Sequence, residues 1–112
     1  MPDLKSMFLA LGLAAVPLAA SADGYVLGAG RWTCGDAVRV FETGTQIEKG
    51  QLFGWLMGFW SSATFQRETG FVDVVENAGG EAIANATVEE CRNASADTLI
   101  FRVAQTMIRN TK

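Results

Sequence analysis

A small all-α bundle of four to five helices, stapled by one disulfide, is what this sequence predicts. Three observations carry the prediction. Apolar residues recur at helical pitch in the first, central and last parts of the chain. The only two cysteines, Cys34 and Cys91, stand far apart and an even count suits one cystine. The one β-branched run, residues 71–77, has no second run to pair with.

The N-terminus reads as an export signal. Met1 to Ser6 is short, Met7 to Leu18 is apolar, and Ala20-Ser21-Ala22 is a small-x-small cleavage pattern. The expectation is a signal peptide over residues 1–22, cut before Asp23, with delivery to the periplasm. A membrane anchor is the other reading, but the apolar run is short for a bilayer span. Losing Asp3 and Lys5 with the signal takes twelve acidic and nine basic side chains to eleven and eight, so the net charge stays at −3. With no basic run, nucleic acid is not an expected partner. An acidic chain also gains nothing from anionic lipid surfaces.

In an exported chain the two cysteines read as a Cys34–Cys91 disulfide. It would close a loop of roughly 57 residues, which the chain-entropy treatment values at about 4 kcal/mol. Two buried free thiols are the alternative.

Residues 23–31 hold three glycines without periodicity and are expected to be a flexible lead-in to a single disulfide-linked helical domain, 32–112. Thr33 and Asp36 have capping-box spacing and open a first helix that stops at Gly44. Cys34, Ala37, Val38 and Phe41 would share its buried face. A long central helix is expected over residues 46–67. Phe71 to Asn77 is ambiguous between strand and helix and is read as a short helix. Ala78-Gly79-Gly80 reads as a turn, and 81–86 as a further helical turn. Thr87 and Glu90 have capping-box spacing, which predicts a short helix through Cys91. A last amphipathic helix is expected over residues 96–109, with Leu99, Val103 and Met107 on its apolar stripe and Ile100, Ala104 and Ile108 beside it.

The central helix is the unusual element. Between Lys49 and Arg67 there is no charge, and the window holds two of the three tryptophans. Gly50, Gly54 and Gly58 recur every fourth position, which aligns them on one stripe. They signal either close approach of another helix backbone or room for neighbouring side chains such as Trp32. Leu52, Trp55, Leu56, Phe59 and Ala63 fill the other side, with Phe53, Met57 and Trp60 on the flanks. A helix this apolar belongs in a core, against a partner or in lipid. The uncharged window is slightly short of a full membrane span and carries several polar residues, so stable insertion is not expected.

Catalytic signatures are missing. Without histidine, Ser-His and Cys-His pairs are excluded. Two isolated cysteines do not make a zinc tetrad. Glu89 and Glu90 are adjacent and point in different directions on a helix. The expectation is a protein that is not an enzyme and takes no cofactor or metal.

Trp32-Thr33-Cys34-Gly35-Asp36-Ala37 resembles the Trp-Thr-Cys-x-Asp segment of the HdeA/HdeB family of small periplasmic acid-stress chaperones. Val88-Glu89-Glu90-Cys91-Arg92-Asn93, followed by the last helix, is similar to that family's second cysteine segment. Gly54-Trp55-Leu56-Met57-Gly58-Phe59 lies where the family has its main apolar helix. The likeness covers the layout of residues 32–108, with identity at about a dozen positions. It implies a homodimer near neutral pH that opens in acid and holds unfolding periplasmic proteins. The implied client surface is Phe53, Trp55, Leu56, Phe59 and Trp60. The chain departs from the family in being poor in lysine, the residue that keeps chaperone–client complexes soluble in acid. With no histidine, an acid trigger rests on Asp and Glu and works below about pH 5. Two other roles fit the same residues. One is a small periplasmic binding or immunity-type protein with one specific protein partner, its apolar residues a permanent core. The other is a structural periplasmic protein without clients.

Overall fold

The computed structural model describes residues 24–112; the expected signal peptide, 1–22, and its cleavage point lie outside the described residues. The architecture is a small all-α bundle with one disulfide. A 3₁₀ turn at Gly28–Arg31 leads into α1 (Cys34–Thr43), α2 (Gln46–Thr64), α3 (Thr69–Arg92) and α4 (Ile100–Asn110). Among the described residues the one β-type pairing is an isolated antiparallel bridge between Thr33 and Leu99.

The start of α1 forms as its residues dictate. The Asp36 amide donates to Thr33 Oγ1 at 3.1 Å, and the Thr33 amide donates to Asp36 Oδ2 at 3.1 Å. That satisfies two amides that a helix N-terminus otherwise leaves unpaired. Two further amides are met from far along the chain. Cys34 N–H donates to Thr98 O at 2.7 Å and Gly35 N–H to Ala96 O at 2.9 Å. The Ile100 amide returns a bond to Trp32 O at 2.9 Å. The Cys34–Cys91 disulfide closes the same junction, with the two Cα atoms 4.9 Å apart. Both cysteines are buried. This clasp is why α4 begins at Ile100 and not at residue 96. Ala96 and Thr98 give their carbonyls to α1, and Leu99 takes extended backbone angles.

Gly44 ends α1 by closeness rather than by a left-handed turn. Its backbone is extended, and a Cβ there would sit 2.6 Å from the Val40 carbonyl oxygen. Within α1 the deepest residues are Cys34, Ala37 and Val40, whereas Val38 and Phe41 are only half-buried. Helix α2 opens on a second capping box, Thr45 with Glu48. It ends three residues earlier than expected, at Thr64.

The segment 71–77 is helical, and the turn expected at Ala78-Gly79-Gly80 is present as a kink between two helical stretches. Helix α3 runs from Thr69 to Arg92, bent at Gly79, whose φ of 81° only glycine adopts readily. Phe71 decides the helical outcome by packing, because it is fully buried against the Trp60 ring. The expected helix start at Thr87 is overturned. Thr87 is buried in mid-helix, and its hydroxyl donates to the Ile83 carbonyl at 2.8 Å. The lead-in is also partly built into the fold: Ala29 and Gly30 of the 3₁₀ turn are buried against α2.

Two apolar clusters make the interior. The larger joins the disulfide to Ala37, Val40, Leu52, Leu56, Ala84, Val88, Ile100 and Ala104. The smaller is Trp60, Phe71 and Ile83, flanked by Ala63, Val75, Met107 and Ile108. Within the described residues of the chain, neither another helix nor a neighbouring side chain such as Trp32 takes up the space beside the α2 glycines. Gly50, Gly54 and Gly58 are exposed, and a Cβ at any of them would have no neighbour within 4 Å.

Alanine at Gly50, Gly54 or Gly58 is therefore expected to stabilise the folded chain by about 0.5–1 kcal/mol each, since helical glycine carries that entropic cost. The check is the urea midpoint of each single variant; a lowered midpoint at any of the three would contradict an open face. Reducing the cystine is expected to remove about 4 kcal/mol, the loop-closure value for this separation. Paired urea curves with and without reductant measure it.

Candidate functional site

The expected client residues lie on α2, but the bundle divides them. Leu56 is fully buried in the larger cluster and Trp60 is 5% exposed in the smaller one. Phe53, Trp55 and Phe59 are half-buried. The buried line of α2 is Leu52, Leu56 and Trp60, spaced at i, i+4 and i+8. Trp60 is thus a core residue and not a flank, and Trp55 and Phe59 lie beside the buried line and not on it.

The half-buried residues form two separate surfaces. Trp55 stacks on Phe59, with ring centroids 4.7 Å apart and planes 16° from parallel. The 3₁₀ turn covers one side of this pair. At Gly30 a Cβ would fall 2.1 Å from the Trp55 ring, so only glycine lets the turn lie this close. Arg31 and Tyr25, beside the turn, are held together by a hydrogen bond and a cation–π contact. Phe53 faces the other way and meets Phe41 edge-on at 6.2 Å. No single contiguous patch contains all five residues while the bundle is closed.

Trp60 carries a cost. Its ring stacks parallel to Phe71 at 6.0 Å, but among the described residues no group accepts from its buried indole N–H. A buried donor left unpaired costs about 1–3 kcal/mol. That cost offsets part of what burying and stacking the ring contributes.

Polar ties between elements sit at the surface. Arg92 pairs with Glu42 of α1 at 2.6 Å and with Glu89 at 3.4 Å, and its guanidinium lies 5.9 Å from the Phe41 ring centre. The hydrogen bond with Glu42, above all, holds Arg92 further into its charged range. Arg67 is a second hub. It donates to the Ile108 and Thr111 carbonyls at 2.9 Å each, at the end of α4, and lies 4.1 Å over the Phe71 ring. It also pairs with Glu68 at 3.0 Å. That hydrogen bond is the main reason the Glu68 carboxyl sits below its ordinary value of 4.5. Arg39 and Glu48 make a looser contact at 3.7 Å. Every carboxylate among the described residues is exposed or half-exposed, so each such pair contributes little alone.

Sequence reasoning did not single out Arg67 or Arg92. A signal existed for both. Arg67 is the first charge after the uncharged window, and Arg92 follows Cys91, which the cystine brings to α1. Among the described residues no helix is long and apolar enough to cross a membrane, and no three His, Cys, Asp or Glu side chains gather as a metal cage. Compared with family models, with curated proteins and with solved structures, the chain matches none.

Trp60→Phe is expected to cost less than about 2 kcal/mol, because the unpaired N–H goes with the lost ring area. Trp60→Ala should cost about 3–5 kcal/mol. Urea unfolding of the oxidised variants measures both; equal losses would contradict a burdened indole.

Proposed function

We propose that this protein is a periplasmic acid-stress holdase, exported by its N-terminal segment, in which acid frees α2 to hold unfolding periplasmic proteins. The observation that carries the reading is the way α2 is held. The most aromatic helix of the bundle is only half-covered along Trp55, Phe59 and Phe53. Carboxylates take part in the ties between helices: Glu42 pairs with Arg92 and Glu48 with Arg39, while Glu68 pairs with its neighbour Arg67, which holds the end of α4.

The sign of the pH effect follows from Glu68. Its folded-state pKa is depressed by Arg67. Its stabilisation is complete above the ordinary value of 4.5 and is lost as pH falls through the folded value. Well below the ordinary carboxylate range the acidic side chains as a class are neutral. The chain past residue 22 then keeps eight positive charges with none to offset them, and self-repulsion opposes the compact state. The disulfide is untouched by pH and keeps α1 and α3 joined while α2 separates. Near neutral pH the proposal includes a homodimer, and the exposed Gly50–Gly54–Gly58 face leaves room for a second helix to come close.

A second reading has its own support. No carboxylate is buried among the described residues, so acid has only surface contacts to act on. A fold that stays closed in acid suits a small binding or immunity-type protein with one specific partner.

The deciding experiment measures light scattering of an acid-labile client at pH 2.5, with and without an equal mass of the oxidised protein, alongside its tryptophan emission from pH 7 to 2. The proposal expects suppressed aggregation and a red shift that begins below about pH 4.5. Unchanged scattering together with unshifted emission would reject the holdase and favour the binding protein.

A further inference from the structure

A cleft of about 570 Å³ opens beside the bend of α3, walled by α1, α2 and α3. It is separate from the Trp55–Phe59 pair. Pockets of about 300–1,000 Å³ hold small molecules. Two of its walls are aromatic: Phe41 of α1 and Phe53 of α2, in edge-on contact at 6.2 Å. Met57 lies at one end against Gly80, where a Cβ would stand 2.7 Å from its sulfur. The positive φ at Gly79 turns the chain just before this residue. Across from the rings, α3 supplies Ala84 and, one turn apart, Glu81 and Asn85.

Charge selects the ligand. Among the described residues, Glu81 is the only charged one lining the cleft. It enters none of the ion pairs among the described residues. The cation near the Phe41 ring, Arg92, is already engaged by Glu42 and Glu89. An anion entering the cleft would meet a carboxylate with no balancing charge. A neutral apolar guest would partly dehydrate that carboxylate with nothing in return. A cation with an apolar body gains twice, from the carboxylate at its charged end and from burial of its body between the rings and Met57.

We propose that this cleft binds a small organic cation with an apolar body, of the alkylammonium class. The apolar body lies between Phe41, Phe53 and Met57, and the ammonium group meets Glu81 and the Asn85 side-chain oxygen. The site belongs to the closed bundle and does not depend on whether acid opens it.

The test is calorimetric titration of the oxidised full chain at pH 7 with hexylammonium, hexanol and hexanoate, three probes of one length. Hexylammonium is expected to bind about five- to tenfold more tightly than hexanol, the scale of one charge-assisted contact at a half-open site. Hexanoate should bind most weakly. Glu81→Gln lies on an exposed face and should fold normally; it is expected to bring hexylammonium and hexanol together. Movement of the Met57 methyl resonance on titration should report the apolar end. Hexanoate binding as well as hexylammonium, or an order unchanged by Glu81→Gln, would overturn the proposal. So would silence with all three probes, whether the cleft is shut or covered by a second copy.

Discussion

The rest of the structure depends on one junction, where the first turn of α1 meets the stretch from Cys91 to Ile100. A covalent bond and three backbone hydrogen bonds meet there, and two of those bonds use amides that α1 would otherwise leave unpaired. The junction fixes where α1 begins, delays α4 to Ile100 and holds the end of α3 against both. Apolar packing then follows: Val40, Leu56, Val88, Ile100 and Ala104 converge on the buried cystine. A chain of this size has a modest core, and a cross-link between distant residues supplies much of what burial alone does not.

Helix α2 is treated differently. It lies within the disulfide-closed loop but carries no cross-link of its own, and its exposed face is a run of glycines that weaken a helix. Its aromatic residues split between the two clusters and the surface. What keeps it in place is packing along Leu52, Leu56 and Trp60, a capping box that uses Glu48, and a small turn that lies on Trp55. The bundle therefore joins a pinned part to a part held by noncovalent contacts alone. That contrast underlies the chaperone proposal, since a segment must leave without the whole chain dispersing. The amine cleft draws on the opposite property, because its walls exist only while α1, α2 and α3 stay together.

Much of this was readable in the residues, and the misses share a cause. Thr33 with Asp36 announces a helix start by local chemistry, and it forms. Thr45 with Glu48 carries the same signature and forms the same reciprocal pair at the start of α2. Thr87 with Glu90 carries it too, but a Thr–x–x–Glu spacing also arises inside a helix, where the hydroxyl bonds back to the preceding turn. The start of α4 depends on carbonyls demanded by a helix more than sixty residues earlier, which no local pattern contains. On α2 the apolar residues run nearly all round. Pitch alone therefore did not decide that Trp60 faces the core while Trp55 lies beside it. The long uncharged window identified the helix; only its neighbours identify the face.

The central claim is that the junction persists while α2 lets go. Amide hydrogen exchange of the oxidised protein, followed residue by residue at pH 3 and pH 7 and corrected for intrinsic rates, addresses it directly. The account predicts that in acid the amides of 49–64 lose their protection while those of Cys34, Gly35 and Ile100 keep theirs. Equal protection of both groups at pH 3, or their loss together, would contradict it.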